Sequence, residues 1–453
     1  MEINTGNTAW LLLSSALVLL MTPGLALFYG GLNRSKGTLN MMMMSFSCIG
    51  LISVLWALYG WTIAFGTNDS SGLNKFLGSF TQYLGTGTSW MGEEWKVAGT
   101  GIGIPTLVVM AFQMMFAIIT VALISGSLSD RLKFGGWVLF AIGWFTIVYV
   151  PVAHWIWGGG WIGANLGALD FAGGTAVHIN AGSAALGVAL VLGKRIGWPR
   201  ENMRPHNVPF VALGAGLLWF GWFGFNAGSE LTVDTVTSVA FVNTQLATAA
   251  ALCGWCLVEW LRDGKPTLVG ASSGAVAGLV AITPACGFIP PLAAILLGIV
   301  AGAVCALAVS LKYRFGYDDS LDVVGVHFVG GWIGSLWIGL FASSGVNAVV
   351  THKSVFYGGS ADQLWRQAVA SGAVTVFSFA VAAGLAYLLK LAKLLRVSEE
   401  DEVGGIDISD HGETAYDMTP AAGSSGGAFA MAGVGGSKAD SDGKADVSEK
   451  VAG

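Results

Sequence analysis

Eleven runs of mostly apolar residues, each about the 20 residues needed to cross a bilayer as a helix, follow one another along this chain. They cover approximately 8–32, 39–66, 102–128, 135–157, 175–192, 208–227, 236–260, 268–284, 290–311, 323–341 and 365–391. Only 11% of the residues are charged, against about 25% in a soluble domain, so too few charges remain to cover a water-facing surface. Inside hydrocarbon every backbone N–H and C=O needs an internal partner, and a helix supplies all of them. The reading is an all-α integral membrane protein. The 66 glycines, without a collagen period, fit helices packed at close range in a bilayer.

Loop charges set an expected orientation. Arg34, Lys36, Arg131, Lys133, Lys194, Arg195, Arg200, Arg204, Arg262, Lys265, Lys312, Arg314 and the basic end of the last run share one side. The other side holds Lys75, Lys96, Lys353 and little else. Positive loops stay cytoplasmic, so the N-terminus is expected outside and the C-terminus inside. No Lys or Arg precedes Arg34, which favours a first span over a cleaved leader. The net charge of −5, without a basic block, gives no sign of a nucleic-acid partner. Cys48, Cys253, Cys256, Cys286 and Cys305 all lie in or beside apolar runs. The Cys253-Gly-Trp-Cys256 spacing is mid-run and reads as packing, not redox chemistry.

Two histidines stand out. His178 in AVHINAGSAAL and His327 in VVGVHFVGGWIG sit inside apolar runs, where an ionisable group costs several kcal/mol if charged. Both occur in a Val-His-x-x-x-Gly motif (Val177, His178, Gly182; Val326, His327, Gly331), each with an aspartate upstream, read as Asp170 and Asp322. A repeat of five spans places its second copy upside down. Two inverted five-helix repeats plus a long final helix are therefore expected, with the site at mid-membrane between the halves. Two neutral imidazoles in contact can chain a hydrogen bond and relay a proton. No third or fourth ligand type accompanies them at membrane depth, so no metal is expected, and no Ser or Cys nucleophile is paired with them by motif. The chain does not read as an enzyme, and no cofactor is implied.

Other polar and aromatic positions carry two readings each. Trp157, at the outer end of the fourth run, is an interface anchor or a cation–π wall for a small cation. Ser229, ending the sixth run on the same side, is a helix cap or an acceptor for an ammonium-type donor. Phe112 and Phe116 share one face of the third run, and four-residue aromatic spacing serves core packing more often than a gate. Asp170 precedes the fifth run, where capping with an electrostatic side effect is the favoured role. Beyond Arg396 an acidic run, Ser398-Glu-Glu-Asp-Glu402, leads into GGIDISDHGETAYD and then an Ala/Gly/Ser-rich stretch. The organisation is a membrane domain over 8–396, a cytoplasmic tail over 397–417, and an extension over 418–453 too poor in apolar residues to fold alone.

The segments FYGGLNR (28–34), AHWIWGGG (153–160), GALDFAGGTAVHINAG (167–182), GWFGFNAGS (221–229), FVNTQLATAAA (241–251), PACG (284–287) and DVVGVHFVGG (322–331) together resemble the ammonium transporter family (Amt/Mep/Rh), over Trp10 to Asp417. The resemblance implies a homotrimer with one pore per protomer in a cell membrane, carrying ammonium and methylammonium. By motif, Trp157, Phe116 and Ser229 resemble an outer recruitment site supported by Asp170. Phe116 and Phe225 resemble a phenyl gate, and His178 and His327 a twin-histidine pore. The tryptophan and serine place the resemblance in the Amt/Mep branch, and one extra residue separates Trp157 from Asp170. The tail resembles a regulatory segment, on a face that in bacteria meets a PII-type signal protein. The function expected is ammonium uptake, with ammonium deprotonated before ammonia passes the histidines; the alternative is an ammonium sensor signalling through the tail.

Overall fold

The computed structural model describes residues 3–83, 93–96, 103–201 and 203–416. The expected extension over 418–453 lies outside the described residues. Among these, ten helices are long and apolar enough to cross a membrane. They are α1 (Thr5–Leu32), α2 (Ser35–Phe65), α3 (Thr106–Leu128), α4 (Phe134–Leu166), α5 (Gly174–Leu192), α6 (Val208–Glu230), α7 (Thr235–Asp263), α9 (Pro291–Phe315), α10 (Val324–Phe341) and α11 (Asp362–Leu391). Between α7 and α9 lies a shorter apolar helix, α8 (Leu268–Ile282). The run read at 268–284 is thus helical, but at 15 residues it is shorter than the other ten.

Local chemistry starts and stops these helices. Asn4 caps α1 by accepting from the Asn7 N–H at 2.9 Å. Asp234 and Thr237 form a reciprocal capping box on α7, which ends at Gly264 in the left-handed region. Small residues then allow close approach. A Cβ on Gly298 of α9 would lie 2.2 Å from the Ala247 carbonyl of α7, and one on Gly302 would lie 2.1 Å from that of Ala251. This is small-xxx-small packing on both partners.

Helix neighbours recur between the two halves. Helix α1 packs on α2 and α3 as α6 packs on α7 and α8, and α1 and α6 run against each other. Helix α11 packs along α5 and α10. A two-stranded hairpin pairs Glu94–Lys96 with Gly103–Pro105 at one end of the bundle.

At the other end buried ion pairs tie the loops. Arg34 meets Asp130 at 2.7 Å, and Arg195 meets Asp318 at 2.9 Å and Asp130 at 3.7 Å. Two short helices of the tail, α12 (Glu399–Gly404) and α13 (Ile406–His411), dock on this face. The Asp407 carboxylate accepts from the N–H groups of Leu39 and Asn40 at 3.0 and 2.8 Å, and Asp410 accepts from that of Phe134 at 2.8 Å. The tail therefore caps the starts of α2 and α4, where carboxylates satisfy orphan donors and complement the dipole.

Candidate functional site

The end of the bundle opposite the tail holds a cavity of about 550 Å³ whose wall includes Phe116, Trp157, Asp170, Ser229 and Glu230. Each side chain there is held by its own element. Trp157 ends the helical stretch Val150–Ile156, and its indole N–H donates to the Asp170 carbonyl at 3.0 Å, which fixes the ring plane. Ser229 lies in the last turn of α6, and its hydroxyl donates to the Phe225 carbonyl at 2.8 Å. Its proton is thereby committed, and the oxygen lone pairs remain to accept from a cation with N–H donors.

Asp170 faces inward to backbone. One carboxylate oxygen accepts from Gly173 and Gly174 at 2.8 and 2.7 Å, the other from Thr175 and Ala176 at 2.8 and 3.0 Å. Gly173 makes this turn possible with φ of +114°. The four bonds hold the start of α5, one turn before His178.

Below the vestibule the rings of Phe116 and Phe225 stack at 4.2 Å with 28° between planes. Phe116 lines the vestibule, and Phe225 lines a second, enclosed cavity below. Both side chains are buried, and the ring pair lies between the two spaces. Phe112 packs behind, 4.9 Å from Phe116. The rings of Trp157 and Phe116 meet in a T shape at 6.0 Å, and both line the vestibule.

His178 and His327 line the lower cavity with Trp222, Phe225, Leu218 and Val276. Its free volume for a water-sized molecule is about 10 Å³, on the order of one such molecule. The two Nδ1 atoms lie 3.3 Å apart, so one imidazole donates to the other and the pair shares a proton between its ring nitrogens. The outward Nε2 atoms are then one donor and one acceptor. The Nε2 of His178 is buried and has no hydrogen-bond partner in the protein. Trp222 stacks on His178 at 5.3 Å, itself anchored by its N–H to the Thr283 hydroxyl at 2.8 Å.

The surroundings of the two histidines are related. Each histidine lies in a widened π turn, Gly174–Ile179 in one case and Val324–Phe328 in the other. A Cβ on Gly182 would lie 2.7 Å from the Phe328 backbone N, and one on Gly331 2.9 Å from Ile179, so each motif glycine receives the residue after the opposite histidine.

The upstream aspartate needs a correction. Asp322 pairs with Lys312 at 2.7 Å and does not cap α10. Asp319 does, accepting from Val323 and Val324 at 3.0 and 2.8 Å. The offsets agree, since 178 − 170 and 327 − 319 are both 8. Counting back from each histidine would have found it. Trp222 was likewise overlooked, although it precedes Phe225 by three positions on one helix face.

The fold and site define a multi-pass helical membrane protein with an aromatic vestibule over an enclosed, histidine-lined apolar cavity. The model of the Ammonium Transporter Family matches residues 9–416, and the chain belongs to that family. An ammonium transporter of Mycobacterium tuberculosis is 54% identical over 440 residues, covering 92% of each chain. The solved structure of Candida albicans Mep2 superposes with a TM-score of 0.77 at 35% identity, covering 88% of each chain. A structure described as a sensor Amt protein superposes with a TM-score of 0.79 at 27% identity, covering 90% of this chain and 98% of its own. The family is one of ammonium transporters, and this chain is not an enzyme.

Proposed function

We propose that this protein takes up ammonium across the plasma membrane, as a homotrimer with one passage per protomer. Each protomer crosses eleven times, α8 being the short crossing, with the N-terminus outside and the C-terminus in the cytoplasm. The related packing of α1–α5 and α6–α10 supports two inverted repeats, with α11 as the long final helix.

Ammonium enters the vestibule, where the Trp157 face and the Ser229 oxygen replace part of its water shell, and Asp170 holds the floor in place. A bare cation in the apolar passage is too costly, so at the Phe116–Phe225 gate ammonium hands its proton to vestibule water, or to the His178 Nε2 for relay through the histidine pair. Ammonia, a water-sized molecule that both donates and accepts, then passes the unpartnered Nε2 of His178 and the ring of His327. The shared Nδ1 proton offers a separate path for the charge. Potassium has no proton to give and no hydrogen bond to donate, which is the source of selectivity. The observation that carries this reading is the stacked pair of Phe116, which lines the vestibule, and Phe225, which lines the histidine cavity. Methylammonium is a second substrate, and a PII-type protein is the expected partner at the tail face.

Solid-supported-membrane currents on purified protein test the chemistry. Saturable inward current with ammonium and methylammonium supports ammonium transport with its charge. Uptake without current means neutral ammonia conduction, and neither means that the reading fails.

A second reading is an ammonium sensor. It is supported by the tail docked on the starts of α2 and α4 and by the likeness to the sensor Amt protein. Ligand binding without flux, together with a ligand-dependent tail partner, would favour it.

A further inference from the structure

Three acidic side chains gather at the vestibule end, and they differ in what they already hold. Asp170 is saturated by four backbone donors. Asp234 is committed to the cap of α7, accepting from Val236 and Thr237 at 2.8 and 3.1 Å and from the Thr232 hydroxyl at 3.0 Å. Glu230 has neither: among the described residues its carboxylate makes no hydrogen bond and no ion pair. It is nevertheless only partly exposed and lines the vestibule directly after Ser229. The opposite charge on the wall, Lys96 of the hairpin, is exposed and not paired with it. A half-buried carboxylate without a donor is relieved either by taking up a proton or by a visiting cation, and in its ionised form it draws the cation.

We infer that Glu230 is a further substrate-recruiting and affinity-setting residue, an electrostatic arm beside Ser229 that raises the local concentration of ammonium in the vestibule. The inference rests on the vestibule being the ammonium entrance. A single carboxylate focuses cations in a low-dielectric cleft and acts before the gate, so it changes affinity and not the step beyond. Dehydrated ammonium gains from Ser229 and Trp157 by contact; Glu230 adds a longer-ranged attraction that salt screens. An ionised carboxylate facing the cation across a wet cavity changes occupancy by about three- to tenfold.

The test uses full-length protein in proteoliposomes on solid-supported membranes, titrated with ammonium at low and at high sodium chloride. Glu230→Gln is expected to raise the half-saturating ammonium concentration about three- to tenfold at low salt. Maximal current stays at the wild-type level, and the difference shrinks at high salt. Glu230→Asp restores most of the affinity. The glutamine variant is expected to melt with the wild type, because the carboxylate holds no structural bond, so misfolding does not mimic the effect. An unchanged half-saturation at low salt, a shift that persists at high salt, or a fall in maximal current alone overturns the inference. A wild type with saturable current beside an inert Glu230→Gln overturns it while leaving the entrance reading intact. A wild type without any ammonium response overturns both.

Discussion

Asp170→Asn isolates the device that holds His178 in place. Each Asp170 oxygen accepts two backbone N–H groups, from Gly173 and Gly174 on one side and from Thr175 and Ala176 on the other. An asparagine keeps one oxygen, but its NH₂ opposes two donors whichever way the amide turns. Two backbone N–H groups then lose their acceptor, at about 1–2 kcal/mol each in this buried turn. Loss of the charge at the helix start adds about 0.5–1 kcal/mol, for a total of about 3–5 kcal/mol. The first turn of α5 carries His178, whose N–H bonds the Gly173 carbonyl at 3.1 Å, so fraying there displaces the imidazole. Thermal unfolding of purified protein, followed by tryptophan fluorescence, should show a melting point lower by several degrees, with uptake strongly reduced. Asp319→Asn should cost less, since only two backbone N–H groups and the Ser127 hydroxyl depend on that carboxylate. An Asp170→Asn protein that melts and transports like the wild type would refute the reasoning.

Three further outcomes are expected. Gly182→Ala places a methyl 2.7 Å from the Phe328 backbone and should cost about 1–3 kcal/mol in overpacking, read as a lower melting point, and Gly331→Ala should behave alike. Ser229→Ala removes the vestibule acceptor and should raise half-saturation by ammonium about tenfold, about 1.4 kcal/mol, with folding unchanged; an unaltered affinity would remove Ser229 from the recruitment site. Burial pushes the Asp318 carboxyl up, but hydrogen bonds from Arg195 and the charges of Arg131 and Arg195 outweigh it and hold the group below the usual carboxylate range. Its stabilisation is therefore complete above the unfolded value of about 3.9 and lost as pH falls through the lowered folded value. Melting points recorded from neutral pH downward should drop in that acid window, and Asp318→Asn should start lower and fall less steeply.

The helical spans were legible because a bilayer-length apolar run is a local property of the chain. Helix α8 shows the limit, since its run of 268–284 was counted with the others but the helix that forms, Leu268–Ile282, is the shortest of the eleven. The gathering of Trp157, Phe116 and Ser229 around one cavity was not readable from spacing, because they come from three helices distant in sequence. His178 and His327 were marked by their cost in an apolar run, whereas Trp222, an ordinary aromatic in an aromatic-rich helix, carried no such mark. Asp322 drew attention as the nearest acid to the second motif, but its reach is taken by Lys312, and Asp319 fits the eight-residue offset. The tail contacts were also invisible in advance. Asp407 caps a helix start 367 residues away, and nothing in either segment announces the other.

The central claim is that only a cation able to shed a proton crosses the passage between the gate and the histidines. Currents on solid-supported membranes, with ammonium and potassium applied at equal concentration and driving force, test it directly. The wild type is expected to carry ammonium current and no potassium current, while His178→Asp, which places a charge at the Nδ1 contact, still conducts but admits potassium. Equal ammonium and potassium currents through the wild-type protein would contradict the account.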